Sequence, residues 1–230
     1  MKLPAPQLKG VLLKRYKRFL ADIELPDGRI VTAHTPNTGS MQQCAVPGYA
    51  VLLSQSDNPK RKLPYTLELI RVNHHWVDTN TQRANRVVEE GLRNGLVPGL
   101  AGYEVFPEYR FGESRLDFML ESAESKVLLE VKNVTLLDSS GRACFPDAVT
   151  TRGQKHLREL MLAKEQGWRS VIFFLVQRAE AEAFAPADHI DAEYGKLLRQ
   201  AIDAGVEAVA MRTSVSEQEV VLDCCIPVEV

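Results

Sequence analysis

Ser114-Arg115-Leu116-Asp117-Phe118-Met119-Leu120-Glu121 and, beyond the polar break Ser122 to Ser125, Lys126-Val127-Leu128-Leu129-Glu130-Val131-Lys132-Asn133 decide the fold. With Ser122 to Ser125 as the loop of a hairpin, antiparallel register sets Leu120 opposite Val127, Phe118 opposite Leu129 and Leu116 opposite Val131, an apolar face. The other face pairs Met119 with Leu128, Asp117 with Glu130 and Arg115 with Lys132. Two carboxylates and a lysine then gather at one end of one face. Carboxylates could hold a hard divalent cation there, and the ammonium could orient or deprotonate a water. The competing reading is a solvated face with a cross-strand salt link. Against it, Val127 to Leu129 is continuously apolar, the pattern of a strand covered on both sides.

Working outward, Val171-Ile172-Phe173-Phe174-Leu175-Val176 is a second continuous apolar run, too short for a membrane and suited to a central strand. A helix is expected after the caps Asp78-Thr79-Asn80, running to about Leu92 with Ala84, Val87, Val88 and Leu92 inward. Asp138 to Thr150 reads as a loop, Thr151 opens a helix ended by Gly167, and Asp191 opens another stopped at Gly205. Two strands, Val206 to Arg212 and Glu219 to Cys225, complete an α/β sandwich around a mixed sheet.

The first eighty residues differ. Ala21 to Leu25 and Arg29 to Ala33 alternate across Pro26-Asp27-Gly28, a hairpin by pattern and turn chemistry, and strand-like pieces follow at Tyr49 to Ser54 and Tyr65 to Val72. Several short strands in so few residues suggest a small β-barrel. Residues 1 to 80 hold eleven Lys or Arg and six Asp or Glu (+5), whereas residues 81 to 230 hold seventeen and twenty-four (−7). Two basic clusters, Lys14-Arg15-Lys17-Arg18 and Lys60-Arg61-Lys62, lie beside Tyr16, Phe19 and Tyr65 and could serve a polyanion. The aromatics could equally face the barrel core.

At 230 residues, with 45% apolar and 25% charged side chains, a packed core is expected. No apolar run approaches the roughly 20 residues of a membrane span, and no apolar signal core opens the chain, so a cytoplasmic protein is expected. Cys44, Cys144, Cys224 and Cys225 lack zinc-ligand spacing, and reduced, mostly buried thiols are expected. Nothing in the pattern sets an oligomeric state.

Asp117, followed by Glu130-Val131-Lys132, resembles the signature of the PD-(D/E)xK nuclease superfamily, with Leu116 where Pro often stands. Longer blocks in order give a closer match: His34-Thr35-Pro36-Asn37-Thr38-Gly39-Ser40-Met41, Val77-Asp78-Thr79-Asn80, Ser114 to Phe118, Glu130 to Leu136, and Phe145-Pro146-Asp147-Ala148-Val149-Thr150-Thr151-Arg152-Gly153-Gln154-Lys155-His156-Leu157. Together they are similar to the sugar fermentation stimulation protein A family of bacteria. The resemblance implies an oligonucleotide-binding (OB) barrel over residues 1–80 and a nuclease-like domain over 81–230. It also implies DNA binding without sequence preference and a regulatory part in sugar, notably maltose, metabolism.

By the same resemblance, Mg²⁺ or Mn²⁺ would take oxygens from Asp117, Glu130 and the Val131 carbonyl, while Lys132 positions water. Glu89 on the first helix, with Glu90 as competitor, would add an acid, and Gln154 on the crossover helix would orient the lysine or a phosphate. His156 is expected to be a surface or capping residue, and the loop Thr35 to Gly39 has no readable chemistry. Two function classes stay open: a binding module on a nuclease-like platform, and a metal-dependent hydrolase of DNA or RNA. No helix-turn-helix is evident.

Overall fold

The computed structural model describes residues 1–37 and 39–230; Thr38, within the loop Thr35 to Gly39, lies outside the described residues. The amino-terminal strands are β1 (Gln7–Tyr16), β2 (Leu20–Glu24), β3 (Ile30–His34), β4 (Ala50–Gln55), β5 (Tyr65–Val72) and β6 (His75–Asp78). They hydrogen-bond in the order β3-β2-β1-β4-β5-β6, and a parallel β3–β5 contact at Ala33–Tyr65 and His34–Thr66 closes a small barrel. The inward side chains of these short alternating strands, among them Leu12, Ile23, Leu53, Leu67 and Ile70, form one core.

Asn80 then caps α1 (Thr81–Arg93), its side chain accepting the N–H of Gln82 and Arg83 and satisfying donors the helix leaves free. The central sheet follows: β7 (Glu104–Phe111), β8 (Ser114–Glu121), β9 (Lys126–Val134), and, after β10 (Leu136–Leu137), β11 (Ala143–Phe145) and α2 (Thr151–Glu165), β12 (Arg169–Val176). The remainder is β13 (Phe184–Pro186), α3 (Ala192–Asp203), β14 (Glu207–Val215) and β15 (Val220–Ile226). The large sheet has the order β15-β14-β12-β9-β8-β7 and is mixed, with β12 parallel to both β9 and β14.

Both faces of this sheet are covered, which accounts for the unbroken apolar runs in β9 and β12. On one side Ala84, Val87, Val88 and Leu92 of α1 pack on Phe118, Leu129, Val171 and Phe173. On the other, Leu157 and Leu160 of α2 and Tyr194, Leu197 and Leu198 of α3 pack on Met119, Leu128, Ile172 and Phe174. Gly91 is needed where α1 crosses β15, because a Cβ there would run into the Leu222 side chain. Among the described residues no helix is long and apolar enough to cross a membrane.

The sequence reading missed several elements, β1, β6 and β13 among them. It did not anticipate β7, whose Pro107 sits in a strand at the edge of the sheet, a position that needs no ladder donor on its outer side. The stretch Asp138 to Thr150 is not all loop, since β11 pairs with β10 and β13 in a small third sheet. Of the four cysteines, all free, Cys44 and Cys144 are buried but Cys225 is exposed.

Candidate functional site

The β8–β9 hairpin has the expected register at Phe118–Leu129, Met119–Leu128 and Leu120–Val127, and there the ladder ends. The strand pairings foreseen for Leu116–Val131 and Arg115–Lys132 do not form. Asp117 replaces a ladder acceptor with its own side chain: Oδ2 accepts the Val131 N–H at 2.8 Å, and the Asp117 N–H donates to Glu130 Oε2 at 3.3 Å. The alternation slips at that point. Leu116 joins Met119 on the α2 side, and Arg115 turns outward to Glu108, 2.7 Å away.

This splayed end opens a cavity of about 370 Å³ walled by Asp117, Glu130, Val131 and Lys132. Thr81, Ala84 and Asn85 of α1, Cys144, Phe145 and Asp147 of the β11 segment, and Arg152 of α2 complete the wall with Asn37 and Gly39 of the barrel. The barrel loop is therefore part of the site. Asp147 holds it there, its Oδ2 accepting from Ser40 Oγ at 2.9 Å and from the Met41 N–H at 3.1 Å. Asn37 Nδ2 donates to the Thr79 carbonyl at the mouth of α1.

Glu130 and Lys132, both buried, point to the α2 side of β9, where Lys132 Nζ lies 2.6 Å from Glu130 Oε1. His156 Nδ1 meets the same Glu130 oxygen and is 3.3 Å from Lys132 Nζ. Asn85 Nδ2 donates to Asp117 Oδ1 at 2.7 Å. Burial, and then the charge of Glu130, push the Asp117 carboxyl up to about 6, while the Val131 N–H, Lys132 and Asn85 pull the other way. Burial would raise Glu130 too, but Lys132 and His156 outweigh it and hold that carboxyl below its ordinary range.

Two facing carboxylates in a half-closed cavity offer hard oxygen donors and an excess of negative charge. That chemistry fits Mg²⁺ or Mn²⁺ rather than a thiolate-bound metal. Among the described residues no group of three or more His, Cys, Asp or Glu is disposed to hold a metal by itself. Waters, a phosphate oxygen or a backbone carbonyl such as that of Val131 would have to complete the shell, which is how Mg²⁺ is usually held.

A model of the SfsA N-terminal OB domain matches residues 13–78, and a model of the sugar fermentation stimulation protein RE domain matches residues 82–219. The chain belongs to the sugar fermentation stimulation protein family. Family members described as sugar fermentation stimulation protein homologs include that of Syntrophotalea carbinolica, 63% identical over 228 residues (99% of each chain). That of Geobacter sulfurreducens is 56% identical over 230 residues, covering 99% of this chain and 98% of the relative. The solved SfsA of Pyrococcus furiosus, in complex with Ca²⁺, is similar over 100% of both chains at 27% identity, with a TM-score of 0.90.

Within this SfsA-family chain the residues foreseen for the site divide cleanly. Asp117, Glu130, Val131 and Lys132 are brought together. Glu89 is not: it pairs with Arg93 at 2.8 Å on the outer flank of α1, and Asn85, one turn earlier, is the residue that reaches Asp117. Glu90 also faces away, bonded to the terminal amine of Met1. Gln154 donates to both Asp191 oxygens, at 3.0 and 3.1 Å, and so ties the start of α2 to the cap of α3 instead of entering the cavity. His156 is neither surface nor cap but buried against Glu130.

The first basic cluster is also redistributed. Arg15, half-buried, donates to the carbonyls of Asn37 and Gly39 at 2.8 and 3.0 Å and to those of Ser40 and Arg18, so it is an anchor of the barrel loop. Lys14 pairs with Asp22 at 3.3 Å, while Lys17 and Arg18 stand exposed in the β1–β2 turn. Lys60, Arg61 and Lys62 are exposed together on the β4–β5 connection. Of the aromatics, Tyr16 hydrogen-bonds Asp22, Tyr65 packs on the barrel core and Phe19 is exposed.

Proposed function

We propose that the protein binds DNA without sequence preference and cleaves its phosphodiester backbone in a reaction dependent on Mg²⁺ or Mn²⁺. The observation that carries this reading is the convergence of Asp117, Glu130 and Lys132 at the splayed hairpin end, walled by cation-bearing α2 and by the barrel loop. A divalent cation, when bound, would supply a water of lowered pKa and positive charge at the phosphoryl oxygens. Asp117 and Glu130 are the residues to hold it. Asn85 and the Val131 N–H fix the Asp117 carboxylate, and His156 fixes Glu130, so both acids are preorganised before any ligand arrives. Lys132 Nζ would hold the attacking water by its N–H donors. Exposed Lys17, Arg18, Lys60, Arg61 and Lys62 would attract the phosphate backbone.

A second reading is that the site only binds. It is favoured by the fact that each carboxylate oxygen of Asp117 and Glu130 already has a protein partner. On that reading the regulatory role in sugar metabolism suggested by the relatives' names would operate through DNA binding alone. The test is purified protein on labelled single-stranded, duplex and branched DNA and on RNA, with Mg²⁺, Mn²⁺ or EDTA. Metal-dependent cleavage lost in Asp117→Asn and Lys132→Ala, with binding retained, supports the hydrolase. Binding without cleavage above the Lys132→Ala background refutes it.

A further inference from the structure

Two polar contacts run in series from α2 into the site. Glu130 Oε1 is an acceptor, so His156 carries its proton on Nδ1 toward it. The lone pair on His156 Nε2 then faces Arg152, whose Nε lies 3.4 Å away as the donor. Arg152 and His156 are four residues apart on one helix face, so the imidazole of one turn supports the guanidinium of the turn before it. Both imidazole nitrogens are accounted for, and the ring is buried while Arg152 is exposed and lines the cavity.

This hydrogen bond is the sole side-chain bond Arg152 makes among the described residues, so neither Nη group has a partner among them, and Arg152 lines the cavity. The neighbouring arginine of the same helix is different: Arg158 is paired with Glu193 at 3.3 Å. A guanidinium held by Nε and open at both Nη atoms presents the bidentate fork that a phosphate accepts.

We propose that Arg152, aimed by His156, contacts the phosphate group of the bound nucleic-acid strand at the metal-site cavity. This rests on the nuclease reading for its catalytic consequence but not for the contact itself. Arg152 is the substrate-touching residue, and His156 is a positioning residue that ties the phosphate contact to the carboxylate Glu130. The link gives the site a means of registering strand and acid in one geometry, which phosphoryl transfer needs at sub-ångström precision.

The test measures the binding of Ca²⁺-loaded protein to a short labelled single strand and to a duplex across a salt series. Arg152→Ala should weaken all sequences alike and flatten the slope of log affinity against log salt by about 0.7 for the single strand and about 0.9 for the duplex. Arg152→Lys should restore the slope, because the charge remains. Arg158→Ala removes the same charge from the same helix and should leave the slope unchanged. In the cleavage assay, Arg152→Lys and His156→Phe should both lose roughly 10- to 100-fold in kcat, since each breaks the held fork.

An Arg152→Ala protein with the wild-type slope, or an Arg158→Ala protein flattened equally, overturns the proposal. Wild-type protein that cleaves nothing while Arg152→Ala still flattens the slope sinks the nuclease reading and leaves the phosphate contact standing. Wild-type cleavage with Arg152→Ala unchanged in slope and kcat does the reverse.

Discussion

Arg83 is 4% exposed on α1 and holds two acids at once, Glu68 of β5, 2% exposed, and Asp78 at the end of β6, fully buried. Its Nη1 lies 2.9 Å from Asp78 Oδ1, which also accepts the Asn80 N–H, and Ser54 Oγ donates to Glu68 Oε1 at 2.5 Å. One guanidinium thus joins the barrel to the helix that presents Asn85 to the site. Arg83→Met keeps the length of the side chain and leaves two carboxylates buried without a counter-charge. Breaking a buried pair in this way costs about 3–5 kcal/mol. For a chain of this size, that lowers Tm by roughly 10 °C.

The penalty should depend on pH with a definite sign. Burial pushes the Asp78 carboxyl up to about 6, with Arg83 and the Asn80 N–H opposing and Glu68 adding. A folded-state value above the unfolded value of about 3.9 means that the native chain binds the proton more tightly. The stability this group contributes is therefore full below about pH 4 and is lost as pH rises through about 6. Without Arg83 the Asp78 carboxyl moves higher still, so the loss in Arg83→Met should be larger near pH 8 than near pH 5. Urea unfolding of both proteins at the two pH values measures it. A loss under about 1 kcal/mol, or an equal loss at both pH values, would refute the account, because it would mean that water already reaches the two carboxylates.

Four further outcomes are expected. Mn²⁺ or Mg²⁺ should raise Tm by linkage, worth about 2.7 kcal/mol at a hundredfold excess over Kd, and Asp117→Asn should abolish the rise in the same thermal scan. Gln154→Ala should cost about 1–2 kcal/mol by urea unfolding, through loss of its bonds to Asp191, yet leave cleavage at the wild-type rate; a loss of cleavage with stability intact would return Gln154 to the site. Replacing Lys60, Arg61 and Lys62 together by Ala should reduce the salt slope of DNA binding by roughly 2 without lowering Tm. Arg15→Ala should lower Tm as well, because its guanidinium holds backbone carbonyls; an unchanged Tm would put Arg15 back among simple phosphate contacts.

What the sequence displays of this molecule is what periodicity can carry. The continuous runs in β9 and β12 announce strands covered on both faces, and α1 to α3 are announced by their apolar spacing, with Asn80 and Asp191 as caps of α1 and α3. The register of the hairpin follows from the same alternation as far as Phe118–Leu129, whereas Asp117 meets Glu130 through side-chain bonds beyond the end of the ladder. Periodicity also hides things: β7 holds a proline, and β11 is three residues long. Glu89 and Asn85 share one flank of α1, and only the packing of the helix on the sheet decides which of the two turns faces Asp117.

The misreading of His156 has a different cause. Judged singly, an isolated imidazole makes no metal site. Its role comes from being four residues after Arg152 on α2 and directly over β9, whose alternation sends Glu130 and Lys132 to the same side of the sheet. Pair spacing on the helix and face parity on the strand are both present in the sequence, and jointly they set the imidazole between Arg152 and the buried Glu130. Asp117 departs from this parity. Its carboxylate takes the Val131 N–H that a ladder partner would otherwise take, so the pairing ends at Phe118–Leu129, two residues short of the Leu116–Val131 pair that the apolar pattern predicts, and the gap this leaves is the opening of the cavity.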